Sequence, residues 1–217
     1  MPEKFKDKYR ISSNRLRGWD YASSGHYYIT IVTADRKRLF GEIVNGEMVL
    51  NDWGQIVYDE FFKSFEMRTE LFLGEFVLMP DHLHAIVILD KSKCTDMAVC
   101  GDVAHGDVSR GPVETHGRAS LQPTRQPQPQ PTQPTPPFRR QPKSISSFVA
   151  GFKSSTVKRI DDWIDSNNLP MAKFNKNNPL WQSNYHDHII RNESEYRHIS
   201  EYIVRNPIDW KEDTLNK

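Results

Sequence analysis

The stretch Phe76–Leu89 is two apolar runs broken once, by Pro80-Asp81. Nothing else in the chain restricts its fold as tightly. The second run is short and rich in Ile and Val, which suits a pleated strand better than a helix. Pro-Asp between two such runs is turn chemistry, so the stretch reads as strand, turn, strand. Strand side chains alternate faces, which puts His82 and His84 on one face and Leu83 on the other. Two imidazoles about 7 Å apart along a strand can share one divalent ion. Two surface histidines on an edge strand are the alternative. Against it, the pair opens a run that is otherwise apolar, where an imidazole without a partner is costly.

At 217 residues the chain suits one domain with a sizeable core. Mean hydropathy is −0.69, and no stretch is apolar for the 18 or so residues of a membrane span. The charged start, Met1 to Arg10, has no apolar segment behind it, so a secretory signal is not expected and a cytoplasmic location is. Cys94 and Cys100 lack a second Cys/His pair at zinc-site spacing and read as incidental thiols. Net charge is only +1, unevenly spread: residues 1–20 hold six Lys/Arg against three Asp/Glu, residues 21–90 five against eleven. The overall balance therefore makes no case for nucleic acid, and only the N-terminal arm and local clusters can supply a basic face.

Residues 1–18 read as a flexible basic arm, either a solvated tail or a segment that tracks phosphates through Arg15 and Arg17. Tyr27–Thr33 is aromatic and β-branched and forms the first strand. Leu39–Val44 and Glu47–Leu50 flank Asn45-Gly46, a strong hairpin signal. Asn51 or Asp52 then caps a helix to about Phe65, followed by a strand from Leu73 to Met79. Eight of the fourteen prolines fall between 121 and 142. The 92–142 tract thus reads as a disordered Pro/Gln-rich insertion within one domain made of residues 19–91 and 143–217. A helix capped by Ser144 resumes order, its stripe running from Ile145 to Trp163. Lys153, Lys158 and Arg159 lie beside or opposite that stripe, as a phosphate-binding or merely solvated face. Leu180–Ile190 reads as short strand or extended segment. Asn192 caps a last helix from Glu195 to about Asn206, stopped by Pro207. Tyr196, Ile199 and Ile203 form its buried stripe; His198, Tyr202 and Asn206 line a different, polar face.

Taken together, Met79-Pro80-Asp81-His82-Leu83-His84, Gly151-Phe152-Lys153-Ser154, Trp181-Gln182 with Asp187–Asn192, and Tyr202-Ile203-Val204-Arg205-Asn206-Pro207 resemble the single-tyrosine HUH transposases. Within that group they are most similar to the REP-associated tyrosine transposases, bacterial relatives of small insertion-sequence transposases. The resemblance spans about residues 14–91 and 143–210, in the family's order.

The resemblance implies an α+β fold, an antiparallel sheet with helices on one face, similar to an RRM-like HUH nuclease core. It implies that His82 and His84 bind Mg²⁺ or Mn²⁺, that Asn206 completes the metal shell, and that Tyr202 is the nucleophile. Asp81 stands where Asn is common in the family. The implied activity is single-strand DNA cleavage and strand transfer beside hairpins, through a 5′-phosphotyrosine link, by a monomer or homodimer associated with the nucleoid. Arg15, Arg17, Lys153, Lys158 and Arg159 are the expected phosphate contacts. A domesticated non-cutting DNA-binding protein, a rolling-circle-type HUH nickase and a metallohydrolase unrelated to DNA stay open as alternatives.

Overall fold

A computed structural model of the protein describes residues 4–5, 8–9, 16, 18–92 and 141–210. Arg15, Arg17, Cys94, Cys100 and residues 93–140 of the insertion lie outside the described residues. A two-residue ladder pairs β1 (Lys4–Phe5) with β2 (Lys8–Tyr9). Then follow β3 (Gly25–Val32), β4 (Gly41–Val44), β5 (Glu47–Leu50), α1 (Asp52–Glu66), β6 (Leu71–Leu78) and β7 (His82–Leu89). After the insertion come α2 (Ile145–Ser166), β8 (His186–Ile190) and α3 (Glu193–Arg205). No helix among the described residues is long and apolar enough to cross a membrane.

The main sheet has the order β6-β7-β3-β8, and every neighbouring pair is antiparallel. The strands flanking Pro80-Asp81 are thus a hairpin, as their pattern implied. On one face Tyr27, Ile29 and Ile31 of β3 and Leu83, Ala85 and Val87 of β7 pack with Phe61 of α1 and Phe148 and Phe152 of α2. On the other, Ile86 and Ile190 pack with Ile203 of α3. Helices therefore cover both faces, not one. The cause is legible in β7, which is apolar at successive positions, as a strand covered on both sides must be.

Local signals act where their chemistry predicts. Asn45 (φ 53°) and Gly46 (φ 81°) both take the left-handed region, the turn a two-residue hairpin needs, and β4 and β5 form a separate two-stranded sheet. The Asn51 side chain accepts from Gly54 N at 2.9 Å, so Asn51 and not Asp52 is the cap of α1. Ser144 and Ser147 cap α2 reciprocally. Trp181 bridges to Thr33 outside the named strands. Its indole lies between Phe40 and Phe152 and donates to Thr156 Oγ1 at 2.9 Å in the core. The Trp-Gln segment therefore ties α2 to the end of β3.

Candidate active site

His82 and His84 sit at the start of β7, on the face covered by α3. Both are buried, at 0% and 1% exposure. Asp81, also buried, places Oδ1 2.6 Å from His82 Nδ1. A carboxylate there accepts the Nδ1 proton and leaves the Nε2 lone pair available, the arrangement that orients metal-binding histidines. Asp81 thus acts on His82. His84 Nδ1 lies 2.8 Å from both the Tyr28 hydroxyl and Thr30 Oγ1. Thr30 is the direct cross-strand partner of His84, and Tyr28 stacks on its ring at 5.5 Å between centroids. Hydroxyls accept as readily as they donate, so this pair can hold the Nδ1 proton and turn Nε2 outward. Burial, and secondarily the neighbouring His82, hold His84 well below the usual imidazole range. That direction favours the neutral imidazole, the form a ligand needs.

α3 brings the remaining groups. Asn192 Oδ1 accepts from Glu195 N at 2.9 Å, and Glu195 reaches back to Arg191 N at 2.8 Å. This reciprocal cap starts the helix at Glu193, two residues before the expected Glu195. Glu195 also binds His188 Nε2 of β8 at 2.6 Å, which fixes the helix start against the sheet. Ile203 is buried and Tyr196 and Ile199 partly so, against Ile86 and Ile190. Tyr202 falls off that stripe. Its hydroxyl is 3.5 Å from His84 Nε2, and the residue keeps 41% of its surface exposed. Asn206, one turn on, is 3% exposed, and its Oδ1 is buried without a hydrogen-bond partner among the described residues.

That orphaned oxygen tests whether the residues suit a metal. A buried amide oxygen without a partner is costly unless something electropositive meets it. Two imidazole nitrogens and one amide oxygen offer a divalent ion three neutral donors and leave positions for water and substrate. No group of three or more His, Cys, Asp or Glu side chains suited to a metal exists among the described residues, so a third donor for the pair must be of another type, such as the Asn206 amide oxygen. The residues fit a divalent ion.

The other C-terminal tyrosines lie elsewhere. Tyr185 places its hydroxyl 3.5 Å from Ser146 Oγ at the start of α2. Tyr196 meets His26 edge-on at 5.7 Å, partly rather than fully buried. Its hydroxyl lies over Gly74, where an added Cβ would come within 2.8 Å of it. Lys153, Lys158 and Arg159 ride on α2, which packs on the sheet face opposite His82 and His84. Lys153 Nζ donates to the carbonyls of Gln182 and Asn184 at 2.7 and 2.9 Å, and burial lowers it to about 8. It braces the Trp-Gln segment. Lys158 pairs with Asp162 and Arg159 with Glu60. Sequence reading missed four residues near the histidines: Tyr28, Thr30, Trp210, whose ring is 5.8 Å from that of His82, and Arg38, 5.5 Å over Trp210. Tyr28 and Thr30 could have been found by pairing the first strand with the His-x-His strand, had the register been known.

No protein-family model matches the chain. Among solved structures it is similar to a REP-associated tyrosine transposase bound to a REP hairpin, with 18% identity and a TM-score of 0.47 over 92% of this chain and 74% of that one. An uncharacterized protein of Haemophilus influenzae is 32% identical over 206 residues, which cover 94% of this chain and 91% of the relative. With that identity along nearly the whole of both, the chain belongs to the same family as the Haemophilus influenzae protein.

Proposed function

We propose that the protein is a metal-dependent single-strand DNA endonuclease and strand transferase of the single-tyrosine HUH type, acting beside DNA hairpins with Tyr202 as nucleophile. One observation carries this reading: the Tyr202 hydroxyl sits 3.5 Å from His84 Nε2, and the orphaned Asn206 oxygen lies one helical turn further on. A structural tyrosine needs neither neighbour.

The chemistry follows from those positions. The Tyr202 oxygen forms a bond to phosphorus as the bond from phosphorus to the 3′ oxygen breaks. The tyrosyl proton is released and the departing oxygen gains one, which leaves a 5′-phosphotyrosine and a free 3′-OH. One phosphoester replaces another, so reversal onto a new 3′-OH needs no ATP. Tyrosine, with its usual pKa near 10, is a weak nucleophile at neutral pH. A bound Mg²⁺ or Mn²⁺, held by His82, His84 and Asn206, would supply Lewis acidity at the phosphate. Asp81 fixes His82, Tyr28 and Thr30 fix His84, and the Glu195 cap holds α3 so that Tyr202 stays within reach. Exposure of Tyr202 lets a strand approach it.

The test is incubation with hairpin-bearing single-stranded DNA and Mn²⁺, followed by a denaturing gel. A covalent complex is expected from the unaltered protein and none from Tyr202→Phe, which keeps the ring. Peptide mapping then decides: phosphotyrosine at Tyr28, Tyr185 or Tyr196 would overturn the assignment. Binding without any adduct would return the protein to the non-cutting alternative.

A further inference from the structure

We propose that the loop Arg36-Lys37-Arg38 is the surface along which the phosphate backbone of single-stranded DNA enters the site. The proposal rests on the DNA-processing reading above and assigns it a contact surface. The loop leaves β3 directly after Val32, the cross-strand partner of His82. Both its ends are pinned to the turn that presents the histidines: Thr33 N donates to the Asp81 carbonyl at 2.8 Å, and Leu39 N and Phe40 N to the Pro80 carbonyl at 2.8 and 3.1 Å. Lys37 is held from within, its carbonyl accepting from Thr33 Oγ1 at 2.8 Å.

Between those anchors the backbone is strained. Asp35 and Arg36 take φ of 55° and 53°, consecutive left-handed residues that are not glycine. Such conformations persist only where surrounding bonds enforce them. Here they carry three exposed cations past the histidine end of the sheet. The guanidinium of Arg38 lies over Trp210, whose ring faces His82. Two of the three are arginines, whose planar forks match phosphate oxygens.

Asp35 pairs with Lys37 at 3.6 Å, but both side chains are more than half exposed, so the pair is weak and yields to a phosphate. The cations of α2 differ in their place on the sheet. Lys158 and Arg159 ride on a helix that packs on the sheet face opposite Tyr202. Segment totals hide the loop, because residues 21–90 are acidic overall.

Binding separates the two basic groups. Fluorescein-labelled oligothymidylate is titrated across a salt series in EDTA, so that no adduct forms. Single-stranded DNA gives a slope of about 0.7 per phosphate contact. The variant R36Q/K37Q is therefore expected to bind more weakly, with its log–log salt slope shallower by about 1.4. K158Q/R159Q is expected to keep its slope. If R36Q/K37Q does not melt cooperatively, K37Q alone replaces it, with an expected drop of about 0.7. An unchanged slope in the loop variant overturns the proposal, whatever K158Q/R159Q does. The two readings fail separately. Loop-dependent binding without an adduct in Mn²⁺ sinks strand transfer and leaves this surface standing; an intact adduct with loop-independent binding does the reverse.

Discussion

Asp81→Ala removes the partner of His82 without touching a proposed ligand. Asp81 Oδ1 lies 2.6 Å from His82 Nδ1, with the two side chains 4% and 0% exposed. Hydrogen bonds to charged groups contribute about 1.5–3 kcal/mol. At roughly 1.4 kcal/mol per tenfold, losing the bond is expected to weaken Mn²⁺ binding by about 10- to 100-fold. Free Mn²⁺ measured by paramagnetic resonance during a titration reads this without any turnover. Asp81→Asn keeps an acceptor oxygen and loses the charge, so it should fall between the parent and Asp81→Ala. The orphaned Nδ1–H of Asp81→Ala also costs about 1–3 kcal/mol of fold stability, so the titration belongs well below its melting temperature. Equal Mn²⁺ affinity in Asp81→Ala and the parent would refute the argument. If Asp81→Asn bound as poorly as His82→Ala, Asp81 would be a ligand in its own right.

Three further outcomes are expected. Asn206→Ala should lose Mn²⁺ affinity while its melting temperature without metal changes little, because Oδ1 makes no hydrogen bond whose loss would count; a large drop would make Asn206 a structural residue. Thr156→Val leaves the buried Trp181 indole N–H without an acceptor, and urea unfolding should show a loss of about 1–3 kcal/mol; an unchanged midpoint contradicts this. Burial lowers Lys153 from 10.5 to about 8, so between those values the unfolded chain holds more protons than the native one. Parent stability should therefore rise with pH across that window relative to Lys153→Met, and a flat difference between the two would refute it.

Much of this site follows from short-range rules. Period two puts His82 and His84 on one face, and period 3.6 takes Tyr202 and Asn206 off the apolar stripe of α3. Both periods are printed in the chain, and so are the caps Ser144 and Asn192, while the choice between Asn51 and Asp52 for α1 waited on the fold. What stayed hidden depends on contacts between distant segments. Tyr28 and Thr30 look like ordinary strand formers. They become partners of His84 only because β3 and β7 pair in one register, across 56 and 54 residues, and a slip of one residue would turn both side chains to the other face. Lys153 shows the same limit from the other side: helical period placed it near a surface, but not under the Gln182–Asn184 carbonyls that occupy it.

The place of α3 also follows from the pattern of β7. A strand as continuously apolar as β7 requires cover on both faces, while the stripes of α1 and α2 supply one layer. The apolar stripe of α3 had to supply the other, and that layer is the one the histidines share. A capped helix packed there by Tyr196, Ile199 and Ile203 carries its off-stripe residues toward the sheet's polar end. Tyr202 meets His84 as a consequence of how α3 covers the sheet, so a substitution that loosens Ile203 should act on the position of Tyr202 before it acts on the histidines.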